Sequence, residues 1–71
     1  MNGIVLFFKT NQAVWCSDLL TSEGIDNKML SVPQKLTSNC GYCVNIKYSD
    51  KVDVQCVLED ADIEYDRIES L

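Results

Sequence analysis

The stretch "LLTSEGI", residues 19–25, is echoed in the second half of the chain by "VLEDADI", residues 57–63. In the first copy Gly24 is placed to end a helix, since glycine adopts the left-handed backbone that closes many helices. In the second copy Asp60-Ala61-Asp62 stands where a glycine would be usual. Two helix endings of one pattern in 71 residues imply two similar half-units, each a helix between strands.

The remaining segments fit that division. "GIVLFFK", residues 3–9, is a short apolar run rich in β-branched and aromatic residues, which favours a strand. Its apolar side chains fall on both parities, so the strand is expected in the middle of its sheet. Thr10 or Asn11 can cap the helix that follows, in which Ala13, Cys16 and Leu20 recur at i, i+3, i+7 beside Leu19. A second strand, with Leu30 and Val32 alternating against polar neighbours, stops at Pro33. From Tyr42 the pattern alternates cleanly. Tyr42, Val44, Ile46 and Tyr48 point one way, while Cys43, Asn45 and Lys47 point the other. Ser49 or Asp50 can cap the second helix, whose stripe is Val54, Val57, Leu58 and Ala61. A charged segment from Ile63 to Ile68 suits an edge strand.

The order βαββαβ, with right-handed connections, predicts an α+β fold: a ferredoxin-like sandwich of one four-stranded antiparallel sheet with both helices on one face. It is read as a single domain over residues 1–71. The first and third strands should lie side by side in the middle. The sheet face without helices is expected to combine Val5 and Phe7 with Cys43, Asn45 and Lys47, apolar enough to invite a homodimer.

Charge narrows the partners. The net charge is −5, with only six Lys and Arg scattered along the chain, which argues against nucleic acid and against an anionic membrane surface. No apolar run approaches the roughly 20 residues of a membrane span. The opening "MNGIVLFFKT" lacks the basic start and cleavage site of a signal peptide. The expectation is a cytoplasmic protein with reduced thiols, in which cysteines are catalytic, metal-binding or simply packed. The absence of histidine removes the usual general base and the commonest mixed zinc site.

Four cysteines carry what chemistry the chain has. Cys16 lies in the first helix's apolar stripe and reads as a small buried hydrophobe. Cys56 projects about 150° from the apolar face of the second helix and reads as a surface or rim thiol. Cys40 and Cys43, spaced Cys-Gly-Tyr-Cys, lead into a strand and not a helix. If extended, they lie roughly 10 Å apart on opposite faces, whereas a disulfide needs Cα atoms within about 7 Å. A tight turn through Gly41 would restore the bridge, so a redox dithiol stays open. A zinc site would need a second such pair, and Cys16 and Cys56 sit on separate helices facing different ways. No metal or cofactor is expected.

Cys40 sits where a polar loop meets a central strand. Gly41 allows an unusual backbone angle or close approach by another molecule. Thr37, Ser38 and Asn39 can turn the chain and expose peptide N–H groups, which with Lys35 would favour a thiolate. Equally, Cys40 and Gly41 could merely begin a strand. On spacing and chemistry alone both readings stand.

Beyond these residues, the "FF" strand, the "LLTSEGI" helix end, the segment "PQKLTSNCG" and the closing "VLEDADIEYDRI" make nearly the whole chain resemble a family of small bacterial domains described as putative selenium/sulfur carrier protein-like. The resemblance implies a carrier in which Cys40, followed by Gly41, accepts sulfur or selenium as a persulfide or selenosulfide. The donor would be a cysteine desulfurase-like enzyme, and the acceptor another protein. Ser38, Asn39, Gly41 and Cys43 are the neighbouring binding candidates, although Cys43 is not part of the shared pattern. The Cys-Pro-x-Pro motif of better understood sulfur relays is absent. A thiol-redox module using Cys40 and Cys43, and an interaction domain without cysteine chemistry, are the alternatives.

Overall fold

A computed structural model describes residues 1–36 and 40–70. The chain runs β1 (Asn2–Leu6), α1 (Thr10–Ser22), β2 (Asn27–Ser31), β3 (Tyr42–Lys47), a 3-10 turn (Tyr48–Asp50), α2 (Lys51–Asp60) and β4 (Arg67–Ser70). The four strands form one antiparallel sheet in the order β2-β3-β1-β4. The architecture is α+β, with β1 and β3 in the middle as expected and the charged β4 at an edge.

Both helices lie against one sheet face. Val5 and Phe7 of the β1 segment and Val44 and Ile46 of β3 pack in one cluster with Ala13, Cys16 and Leu20 of α1 and Val54 and Leu58 of α2. The helical stripes read from the periodicity face this cluster, with Ala13, Cys16, Leu20, Val54 and Leu58 buried and Leu19, Val57 and Ala61 part-buried against it.

The two echoing segments are two copies of one helix stop. In the first, Ile25 N–H donates to Leu20 O (2.9 Å) and Gly24 N–H to Thr21 O (3.1 Å), with Gly24 at φ +75°. In the second, Ile63 N–H donates to Leu58 O (2.9 Å) and Asp62 N–H to Glu59 O (3.1 Å), with Asp62 at φ +55°. Both are Schellman motifs, each turning an isoleucine back onto the leucine five residues earlier. Leu20, Leu58 and Ile63 are buried, and Ile25 packs against them. Asp62 holds the left-handed position without the freedom of glycine.

Four sequence expectations change. Val5 and Phe7 do not face the open side: both are fully buried beneath the helices, because Val5 pairs with Val44, and directly paired residues share a face. The opposite face instead carries Ile4, Leu6 and Cys43, and these are also buried, under Leu30, Val32 and Leu36. The chain beyond β2 therefore folds over this face, and the apolar surface on which the homodimer expectation rested is covered by the protein itself. Tyr42 is 47% exposed at the start of β3 and not core-facing, and Tyr48 leaves the strand for the 3-10 turn. The first helix is entered through Lys9, whose backbone N–H donates to Gln12 Oε1 (3.1 Å), so Thr10 is its first residue and not its cap. The last strand begins at Arg67 and not Ile63, whose side chain is spent on the helix stop.

Gly3 allows Ile46 and Tyr48 to approach the β1 backbone closely. A β-carbon there would stand 3.2 Å from Ile46 Cγ1 and 3.3 Å from Tyr48 Cδ1, tighter than ordinary contact.

Candidate functional site

Three segments that the topology brings to one end of the sheet surround Cys40: the exit of β1, the first turn of α1 and the entry to β3. Thr10 Oγ1 lies 3.5 Å from Cys40 Sγ, and the backbone N–H of Tyr42 donates to the same sulfur at 3.4 Å. The second contact is local, a side chain reaching the N–H two residues on, as Asn, Asp and Ser side chains do in tight turns. The first spans thirty residues and exists because β1 and β3 are neighbours, which sets the start of α1 beside the entry to β3. An amide N–H and a hydroxyl at this distance supply the hydrogen bonds that a negatively charged sulfur accepts.

Cys40 is 4% exposed and packs in the helix-side cluster. Two residues before the strand, its side chain turns inward toward α1 and not outward to solvent. Gly41 is exposed, does not have a positive φ, and among the described residues nothing lies within 4 Å of where a β-carbon would sit. Neither backbone strain nor crowding by the described residues therefore requires glycine at this position. Its carbonyl accepts the Val32 N–H (3.1 Å), extending the β2–β3 pairing by one rung. Ser38 and Asn39, together with Thr37, lie outside the described residues. Lys35 is exposed in the turn after Pro33.

Cys43 belongs to the other side of the sheet. It pairs with Leu6 and Leu30, is fully buried, and its thiol lies 3.5 Å from Leu30 O and 3.8 Å from Ser31 O. Carbonyls accept from S–H and repel a thiolate. Burial, and secondarily the charge of Cys40, push this thiol upward from its ordinary pKa. Cys40 and Cys43 are thus placed on opposite faces, as strand alternation requires, and neither is in a disulfide. Burial pushes Cys16 up to about 12. Cys56 is exposed on α2.

Sequence reasoning missed Thr10 as a neighbour of Cys40. Its residue type suggested a cap, and only strand order could have shown what stands beside it. A shallow recess of about 200 Å³ lined by Asn2, Asp26, Asn27, Lys28, Asn45 and Lys47 lies at the other end of the sheet from Cys40.

An α+β fold that presses one cysteine sulfur between a helix start and a strand entry, with an amide N–H and a hydroxyl beside it, defines a thiol-bearing protein. The chain is a member of the family described as putative Se/S carrier protein-like, whose model matches residues 2–69. No curated protein and no solved structure matched.

Proposed function

We propose that this protein carries sulfur or selenium on Cys40 and passes it to a partner protein. The observation that carries the reading is the placement of Cys40 Sγ against the Tyr42 N–H and the Thr10 hydroxyl, within a family described as putative Se/S carrier protein-like. Loading is an exchange at sulfur: the Cys40 thiolate attacks the outer sulfur of a donor persulfide, forming an S–S bond to Cys40 as the donor's S–S bond breaks, and the donor leaves as thiolate. Unloading is the same step with an acceptor thiolate as nucleophile. A selenium cargo follows the same electron flow.

The other cysteines serve this chemistry poorly. Cys16 is enclosed and held protonated, and Cys43 points its thiol at carbonyls. Cys56, exposed on a helix, would leave a persulfide open to any passing thiol. The enclosure of Cys40 protects a labile sulfur between partners, and its delivery then depends on opening. The reading implies a cysteine desulfurase-like donor, a separate acceptor protein and a cytoplasmic setting. No helix among the described residues is long and apolar enough to cross a membrane.

The test is incubation with a cysteine desulfurase and cysteine, followed by mass mapping of the added sulfur. One sulfur on Cys40, lost in the Cys40→Ser variant, is expected. An unmodified Cys40, with a control acceptor fully loaded by the same enzyme, overturns the proposal.

A further inference from the structure

Residues 32–36 cross the sheet face opposite the helices. Apart from one backbone hydrogen bond at Val32, their attachment among the described residues is apolar: Val32 and Leu36, each part-buried, rest with Leu30 on Ile4, Leu6 and Cys43. Pro33 has no N–H to give a neighbouring strand. The Leu36 N–H turns back to Pro33 O (2.9 Å), a bond that holds the segment's own shape and not its position on the sheet. The Val32 N–H to Gly41 O bond (3.1 Å) ties the base of this segment to the residue next to Cys40. The helix-side face is fastened differently, by side chains from two helices that are wholly enclosed.

We infer that residues 32–36 form a strap whose release from Ile4, Leu6 and Cys43 opens Cys40 without unfolding the two-helix core. The inference deepens the carrier reading and rests on it for purpose, since a cysteine only 4% exposed must be uncovered to exchange. Lifting Val32 breaks its bond to Gly41 and loosens the entry to β3, where the Tyr42 N–H holds the sulfur. The core cluster of Val5, Phe7, Ala13, Leu20, Val54 and Leu58 contains no strap residue, so it can stay intact. Segments held by few apolar contacts open at lower free energy than the core.

The four cysteines make the test internal. Cys56 is exposed, Cys43 lies beneath the strap, Cys40 is the proposed gated thiol, and Cys16 reports the core. The full chain is alkylated in native buffer and each site is followed by fragment mass spectrometry. Cys56 should react first, Cys40 and Cys43 together at an intermediate rate, and Cys16 last. Leu36→Ala should speed Cys40 and Cys43 by about tenfold, the effect of losing part of a buried leucine's packing, with Cys16 unchanged. Gln34→Ala, an exposed change in the same strap, should leave all four rates as they are. Acceleration of Cys43 alone would show that the strap moves without uncovering Cys40. Equal acceleration of Cys16 would show that the strap is part of the core. Either result overturns the inference. Sulfur loading is read separately: a strap that gates Cys40 in a protein that never takes sulfur from an active desulfurase defeats the carrier reading and leaves the gate in place.

Discussion

Replacing Asp62 by glycine should make this protein more stable, and the two helix stops allow the size of the gain to be worked out. Asp62 holds φ +55°, a conformation that costs an ordinary L-residue roughly 1–2 kcal/mol and glycine almost nothing. Against this, glycine gives the unfolded chain more freedom, a loss of roughly 0.5–1 kcal/mol. Asp62 also sets a negative charge beside the negative end of α2, which is unfavourable by about 0.3–1 kcal/mol. The sum is a stabilisation on the order of 1 kcal/mol, or a rise of roughly 4–8 °C in Tm for a domain of this size. Asp62→Asn separates the parts, since it removes the charge and keeps a side chain in the left-handed position. Urea unfolding followed by far-ultraviolet circular dichroism should rank Asp62→Gly above Asp62→Asn and both above the parent, with m unchanged. The reciprocal change, Gly24→Ala, meets no atom within 4 Å and should cost about 1 kcal/mol through backbone strain alone. If Asp62→Gly is no more stable than Asp62→Asn, the left-handed strain assigned to this turn is absent and the argument fails.

Thr10→Val removes the hydroxyl from Cys40 and keeps the shape; it should slow sulfur loading several-fold in the desulfurase assay while stability shifts by no more than about 1 kcal/mol. Gly41→Ala should leave the free energy of urea unfolding within about 0.5 kcal/mol of the parent, because its new methyl group meets no atom of the described residues within 4 Å. Any loss of sulfur delivery in that variant then measures close approach by a partner, and an unfolded variant would refute the reading of Gly41. Because Cys16 is raised in the folded state, its stabilising effect is complete below its unfolded pKa and is lost as pH climbs toward about 12. Titrating the urea midpoint from pH 8 upward against Cys16→Ala should show the parent losing up to about 1.4 kcal/mol per pH unit more than the variant in that range.

Much of the fold was legible because its periodic segments are unambiguous. The stripes through Ala13, Cys16 and Leu20 and through Val54 and Leu58 are the buried ones, and Val44 and Ile46 face the helices. The echo of "LLTSEGI" in "VLEDADI" proved to be one stop motif built twice. The facing of β1 was not legible, because Ile4, Val5, Leu6 and Phe7 are all apolar and such a run carries no alternation to show which side is which. The register with β3 decides it. The cover over Ile4, Leu6 and Cys43 was hidden for a related reason: Val32 and Leu36 looked like the end of a strand and part of a polar connection. At the site, the opposed placement of Cys40 and Cys43 followed from alternation, while the inward turn of Cys40 and its contact with Thr10 depend on a neighbour thirty residues away.

The β-sheet also acts as a partition. Two thiols three positions apart in the chain would ordinarily quench one another, the second attacking a persulfide on the first and discharging hydrogen sulfide as a disulfide closes. Here one sulfur looks toward the helices and the other toward the strap, with the pleated backbone as insulation between them. On the carrier proposal, a cargo atom seated on Cys40 would thereby be spared self-inflicted loss, its departure left to whichever molecule comes to collect it.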